Sequence, residues 1–215
     1  MSTCESSPAA TGVDVGADRV HAIRLVLRAG GRWGVAGCYT GPVGQDLVRL
    51  CAGVKRVAVD APGGPSQGSH STDTAVAAKF RSGRCSEIPV RGVPAVPWVT
   101  PSKRSAAPAW MLTGFEVWEV LEGAGVEVVE TFPAAGFHRL NGGRWPPPKG
   151  GPAGRSTRAT LLRARMDLPD GADGWGHDYL DAAMAALVAA TGCPLPHSCA
   201  RPDGSSMWLP AAAPV

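Results

Sequence analysis

Short apolar runs separated by turn-forming residues fill the first third of the chain. Two of these runs flank the turn at Ala29, Gly30 and Gly31, which is typical of a hairpin. A helical pattern over residues 45–52 then precedes another apolar run. The predicted strands cover residues 11–15, 21–28, 32–40 and 56–62. We therefore predict three antiparallel strands, followed by a helical crossover that permits a fourth, parallel strand.

The pattern becomes irregular over residues 63–108, where one helix is predicted at residues 72–81. Helices and strands alternate again beyond this segment, which favours an α/β fold. The later predictions are a helix at 111–123, a strand at 126–132, a basic helix at 155–165, a helix at 177–191 and a short strand at 206–209. Residues 1–10 are small and polar, so we predict a frayed tail and one domain over residues 11–210, with 63–108 as an irregular insertion.

Composition limits the class of protein. The chain has 215 residues, 44% of them apolar, which is enough for one domain with a substantial core. No run approaches the roughly 18 uncharged apolar residues of a membrane span, and the N-terminus lacks the apolar segment of a signal peptide. We therefore expect a cytoplasmic protein. Cys193, His197 and Cys199 form a weak zinc candidate, because a fourth ligand is lacking and prolines constrain the loop.

Basic residues are concentrated in two blocks. Between Lys79 and Arg104 six basic residues accompany one acid, Glu87, and between Arg139 and Arg165 seven basic residues accompany none. Such blocks on a nearly neutral chain favour an anionic partner such as nucleic acid, although an ordinary solvated surface is the alternative. The candidate phosphate-binding residues are Arg84, Lys149, Arg155 and Arg158. Aromatic residues near the basic ones are candidates for base stacking, with packing as the simpler explanation: Trp98, Trp110, Phe137 and Trp145.

Acidic residues lie at the ends of three predicted strands and on the last helix. Asp14, Asp60 and Glu130 are the strand-end acids. Asp178 and Asp181 are three residues apart and so share one helix face. A lone buried carboxylate is costly, and a cluster of them is stabilised by a divalent cation. The alternatives are a turn cap for Asp14 and a favourable interaction with the helix dipole for Asp178.

Five short motifs in this order resemble the DUF429 family. They are GVDVG at 12–16, VAVDAP at 57–62, RCSE at 84–87, ETFPAA at 130–135 and DYLDAAMAA at 178–186. The resemblance implies a ribonuclease H-like fold with a mixed five-stranded sheet in the order 3-2-1-4-5, and predicted nuclease activity. It implies that the acids of strand one, strand four and the last helix form the site. In the wider fold strand four often ends in Glu, whereas Asp60 is shorter.

The favoured hypothesis is a Mg²⁺- or Mn²⁺-dependent nuclease that hydrolyses phosphodiester bonds with two metal ions. Asp14, Asp60 and Asp181 are its predicted metal ligands, and Asp178 and Glu130 assist them. His177, next to the acidic pair of Asp178 and Asp181, is a candidate proton carrier, with a helix cap or an ordinary surface residue as the alternative. The alternative functions are an actin-like nucleotide-binding phosphotransferase and a non-catalytic protein that binds nucleic acid or a nucleotide. Neither the substrate nor the oligomeric state follows from the sequence, and Arg84 either contacts phosphate or pairs with Glu87.

Overall fold

A computed structural model describes residues 8–68, 70, 72–196 and 203–211. Residues 1–7 of the tail predicted over residues 1–10 lie outside the described residues, as do two members of the zinc candidate, His197 and Cys199. Ala9 and Ala10 of that tail belong to the first strand. The strands are β1 (Ala9–Val15), β2 (Val20–Leu27), β3 (Trp33–Gly41), β4 (Arg56–Asp60), β5 (Glu127–Thr131), β6 (Met166–Asp167), β7 (Cys193–Pro194) and β8 (Met207–Leu209). The helices are α1 (Gln45–Cys51), α2 (Ala109–Gly123), α3 (Pro133–Leu140), α4 (Pro152–Arg163) and α5 (His177–Thr191).

One mixed sheet runs through the domain, as expected for an α/β fold. Strands β1, β2 and β3 form the predicted antiparallel meander, and β4 pairs parallel to β1 after the α1 crossover. The prediction of five strands is wrong, because eight strands pair in the order β6-β3-β2-β1-β4-β5-β8-β7. The order 3-2-1-4-5 therefore describes only the centre of the sheet. Of the additional strands, β8 corresponds to the short strand predicted at residues 206–209. The other two, β6 and β7, contain two residues each, which is too short for apolar periodicity to reveal them.

Helices cover both faces of this sheet. Helices α1 and α2 pack on one face, where Leu47 and Leu121 meet inward side chains of β1 and β4 such as Val13 and Val59. Helices α3, α4 and α5 cover the other face around Leu180 and further apolar residues. The site described below lies at the carboxyl ends of β1 and β4, on the side of α5.

Helix α5 crosses β1 at unusually short distance because residue 12 is glycine. A Cβ atom on Gly12 would lie 1.9 Å from the backbone nitrogen of Ala186 and 2.4 Å from the backbone oxygen of Ala182. Only glycine permits backbone to approach backbone so closely. This contact fixes the height of α5 above the strand, and with it the position of the acids in the first turns of α5.

The segment between β4 and α2 contains little regular structure. The predicted helix at residues 72–81 is wrong: the residues described there form a turn and a short 3-10 helix, Ala78–Phe80. The apolar spacing that favoured a helix instead serves packing, because Val76 and Phe80 lie with Phe132 and Met207 in a separate apolar cluster. Two further 3-10 turns, Cys85–Glu87 and Arg104–Ala106, complete the segment.

Candidate metal centre

Asp14 and Asp60 lie side by side at the carboxyl ends of two parallel strands. They are register partners in the pairing of β1 with β4, where neighbouring strands are about 4.8 Å apart. Side chains alternate along a strand, so each aspartate faces the same way as the residue two positions before it. Gly12 touches α5, and Ala58 packs with Ala185 of α5. Both aspartates therefore face α5.

Asp181 of α5 completes a cluster of three aspartates. Its side chain is buried, and its Oδ2 accepts a hydrogen bond from Lys149 Nζ at 2.9 Å. Asp178, three residues earlier, is half-exposed at the rim and pairs with His177, whose Nε2 lies 2.9 Å from Asp178 Oδ1. The structure thus brings together the three predicted metal ligands and places Asp178 beside them.

Burial raises the pKa values of all three aspartates, and the neighbouring carboxylates add to the rise for Asp14 and Asp60. Burial, followed by the charge of Asp181, raises the pKa of Asp14 from 3.8 to about 8. Burial, then Asp14 and Asp181, raise the pKa of Asp60 well above its ordinary value. Burial also raises the pKa of Asp181, although Lys149 opposes this. Without a cation, we therefore expect Asp14 to hold its proton at neutral pH.

Two observations fit a divalent cation at this cluster. Asp60 Oδ1 is buried and has no hydrogen-bond partner among the described residues, which is costly for a carboxylate oxygen. Three carboxylates without sulfur or nitrogen ligands form the hard oxygen donor set that Mg²⁺ and Mn²⁺ prefer.

Arg155 and Arg158 hold the loop that carries Lys149. The buried Arg158 donates through Nη1 to the backbone oxygens of Pro147 at 2.9 Å and Gly154 at 3.2 Å. Arg155 donates to the backbone oxygen of Gly150 at 2.7 Å. Of these three predicted phosphate ligands, Lys149 alone reaches the cluster; the two arginines support its loop.

Glu130 and Arg84 are not brought to this cluster. Glu130 of β5 is in register with Val59 rather than Asp60, so its side chain leaves the sheet on the opposite face. There its Oε2 pairs with Arg84 Nη1 at 2.6 Å, and both side chains are largely buried. Burial raises the pKa of Glu130 to about 7, although Arg84 opposes this. Glu87, the partner considered for Arg84, instead accepts hydrogen bonds from backbone N–H groups, including that of Arg84 at 3.1 Å.

An open cavity of about 590 Å³ lies over the cluster. Asp14, Asp60, Asp178 and Lys149 line it. The other lining residues are 15–16, 18–19, 21, 97–98 and 110, so two of the four stacking candidates, the tryptophans at 98 and 110, also line the cavity. Their rings meet edge to face at 5.2 Å. The other two candidates, at 137 and 145, are a core residue and a 60% exposed residue, respectively.

Sequence reasoning missed His21 as a residue of this cavity. It is the register partner of Asp14 across β1 and β2. Its Nδ1 is buried without a hydrogen-bond partner among the described residues, and burial lowers its pKa. The signal that would have found it is the turn between β1 and β2, which fixes the pairing of the two strands.

The comparison with protein families identifies the chain. The family described as "Protein of unknown function (DUF429)" matches residues 12–194. The chain belongs to this family. This confirms the resemblance seen in the motifs, whose acids at 14, 60 and 181 are those that converge here. No curated protein sequence matches the chain.

Among solved structures, RuvC from Thermus thermophilus is similar over 83% of this chain and 90% of its own, with 12% identity and a TM-score of 0.45. The same protein in complex with a Holliday junction substrate is similar over the same shares of both chains, with 11% identity and a TM-score of 0.44. In the described part of this DUF429 chain, no helix combines the length and apolar character that crossing a bilayer would require.

Proposed function

We propose that this DUF429 protein is a divalent-metal-dependent nuclease with a ribonuclease H-like arrangement of its acids. The observation that carries the proposal is the cluster of Asp14, Asp60 and Asp181, of which Asp14 and Asp60 line the cavity. Within it, the buried Oδ1 of Asp60 has no hydrogen-bond partner among the described residues. The register of β1 with β4 and the close crossing of α5 support this arrangement, because they hold the three acids on rigid elements.

Asp14, Asp60 and Asp181 are the residues that would hold Mg²⁺ or Mn²⁺. Ions bound in such a site lower the pKa of a water molecule and compensate the charge that develops on the phosphate. Lys149, which pairs with Asp181 at 2.9 Å, provides a cation that can move to a phosphate oxygen when the carboxylates are neutralised. We infer that His177, half-exposed and paired with Asp178, carries a proton between the site and solvent.

Further residues that line the cavity suit a nucleic-acid strand. Trp98 and Trp110 offer aromatic surface on which a base can stack, worth about 1–3 kcal/mol per base. Arg19 lies at the same opening, half-exposed and paired with its neighbour Asp18 at 3.0 Å, so it is available to a phosphate at little cost. Acidic, basic and aromatic groups thus occur around one opening.

The test combines metal binding with cleavage. We expect Mn²⁺ to bind the full chain in calorimetric titration, and Asp14→Asn and Asp60→Asn each to weaken this binding. Against single-stranded, double-stranded and branched DNA and RNA, we expect Mn²⁺-dependent cleavage that both substitutions abolish. Asp46→Asn is the matched control, because Asp46 is an exposed acid on α1.

Three outcomes would contradict the proposal. Unchanged Mn²⁺ affinity in both variants would remove the metal site, and cleavage that survives both substitutions would show that this cluster does not carry it. Metal binding with hydrolysis of ATP instead of nucleic acid would favour the actin-like phosphotransferase.

A further inference from the structure

A second group of metal-ligating side chains lies outside the carboxylate cluster. His70, Cys85 and Asp203 each place one ligand atom within 4.8 Å of the other two. They come from three separate segments: the loop after β4, the 3-10 turn at Cys85–Glu87 and the stretch before β8. Cys85 belongs to the RCSE motif, for which the nuclease proposal has no role. We propose that these three residues form a zinc site that holds the irregular segment against the end of the sheet.

The distances suit a small ion with mixed ligands. His70 Nε2 lies 3.1 Å from Cys85 Sγ. Zinc binds sulfur at about 2.3 Å and nitrogen or oxygen at about 2.0–2.2 Å, so two ligands of a tetrahedral site are roughly 3.5 Å apart. Small movements of the side chains are therefore sufficient. One nitrogen, one sulfur and one oxygen are a donor set that favours zinc over Mg²⁺ or Ca²⁺.

The surroundings hold the ligands in place. Asp203 Oδ1 accepts hydrogen bonds from the backbone nitrogen of Ser205 at 2.9 Å and from its hydroxyl at 2.6 Å. Asp203 Oδ2 accepts from the backbone nitrogen of Cys85 at 3.2 Å, and the backbone nitrogen of Asp203 donates to Cys85 Sγ at 3.4 Å. Such outer contacts orient metal ligands and favour the thiolate form that binds zinc.

Burial argues against a catalytic cysteine here. His70 is only 1% exposed and Cys85 only 5%, so a substrate has no access to the sulfur. A nucleophilic cysteine needs a partly exposed position, whereas structural zinc sites are closed. Asp203 borders a small cavity of about 150 Å³, from which a water molecule can supply the fourth ligand.

The position of the site explains why an ion would be useful. Apart from short 3-10 turns, the described residues between β4 and α2 contain no helix or strand, so few backbone hydrogen bonds hold them. An ion would link this segment at two points to the stretch before β8. It would also fix Arg84, the neighbour of Cys85, against Glu130.

The test begins with the metal content of the full chain purified without chelators. We expect one zinc per chain by mass spectrometry, and a rise in Tm of about 5–10 °C when zinc is returned to chelator-treated protein at a hundredfold excess over Kd. With Co²⁺ in place of zinc, we expect the thiolate-to-metal charge-transfer band in the near ultraviolet. Absence of this band from the wild-type chain overturns the proposal.

Variants assign the band to one cysteine. We expect Cys85→Ser and His70→Asn to abolish it. We expect it to be retained in a chain in which Cys51 is replaced by alanine and Cys4, Cys38, Cys193 and Cys199 by serine. This second chain keeps Cys85 as its only cysteine and so decides the question even if Cys85→Ser does not fold. A band lost with these five substitutions would assign the metal elsewhere, for example to the weak candidate at residues 193–199, and would overturn the proposal.

A further variant separates this proposal from the nuclease proposal. Asp14→Asn removes a carboxylate of the other cluster, and we expect the Co²⁺ band to be unchanged in it. Loss of the band in that variant would show that the sulfur is not bound at an independent site.

Discussion

Asp14→Asn is the most direct probe of the carboxylate cluster, because it removes one charge and keeps the shape of the side chain. Burial and Asp181 raise the pKa of Asp14 from 3.8 to about 8. Each tenfold change in proton affinity corresponds to about 1.4 kcal/mol, so ionising Asp14 in the folded chain costs at most about 6 kcal/mol. Burial accounts for more of this cost than the charge of Asp181, and an amide is also costly to bury. We therefore expect Asp14→Asn to recover only about 2 kcal/mol of the cost in the free energy of unfolding.

Whether Asp14→Asn is more or less stable than the wild type depends on pH. Because its pKa is raised on folding, Asp14 binds more protons in the folded chain than in the unfolded chain between about pH 4 and pH 8. The free energy of unfolding of the wild type therefore falls as pH rises through this window when no divalent cation is present. Asp14→Asn lacks this titration, so its Tm at pH 8 in chelator should exceed that of the wild type by about 4–8 °C.

Divalent cations should make the wild type more stable than Asp14→Asn. At a hundredfold excess over Kd, Mn²⁺ stabilises a chain that binds it by about 2.7 kcal/mol, and we expect this gain in the wild type but not in Asp14→Asn. Differential scanning calorimetry near pH 5 and pH 8, with chelator and with Mn²⁺, measures all four conditions. Asp46→Asn on the surface of α1 should follow the wild type throughout. A variant less stable than the wild type at pH 8 in chelator would refute the account of crowded, buried carboxylates.

Three further substitutions test the surroundings of the cluster. Lys149→Met removes a half-exposed, solvent-screened cation that repels Mn²⁺ by about 1 kcal/mol, so we expect Mn²⁺ affinity to rise about fivefold. An unchanged affinity in calorimetric titration would contradict this. Arg84→Gln leaves the buried Glu130 without its partner and should lower the free energy of unfolding in urea by about 3–5 kcal/mol, whereas replacing both by apolar residues should recover most of the loss. Gly12→Ala forces α5 away from β1, so it should cost about 1–3 kcal/mol and weaken Mn²⁺ binding with every ligand intact; Gly64→Ala, where a methyl group meets nothing within 4 Å, is its control.

The acids show what sequence can and cannot predict. Asp60 and Glu130 both end a strand and stand close before a proline, so the sequence treats them alike. Their difference is one step of register: Asp60 aligns with Asp14, whereas Glu130 aligns with Val59 and leaves the sheet on the other face. The register between strands that are distant in sequence decides which face each acid occupies, and a local sequence pattern carries no information about that register.

The last helix shows a similar limit. Spacing predicted that Asp178 and Asp181 share a face of the helix. Asp181 is nevertheless buried and Asp178 half-exposed, because α5 approaches the sheet closely only beyond its first turn. Helix α3 was not predicted, because Gly136 weakens the intrinsic helix propensity of this segment. Proline at its first position and the fully buried Phe137 compensate for this through packing.

The two margins of the sheet differ in what they offer for self-association. At one margin β7 has two residues, one of which is Pro194 and has no N–H to donate. At the other, β6 pairs only with Trp33 and Gly34, so residues 35–41 of β3 have no strand partner on that side among the described residues. Long exposed margins are templates on which another chain can add a strand, and short or proline-containing ones resist this. Copies of this protein that join their sheets are therefore expected to do so along β3 rather than along β7.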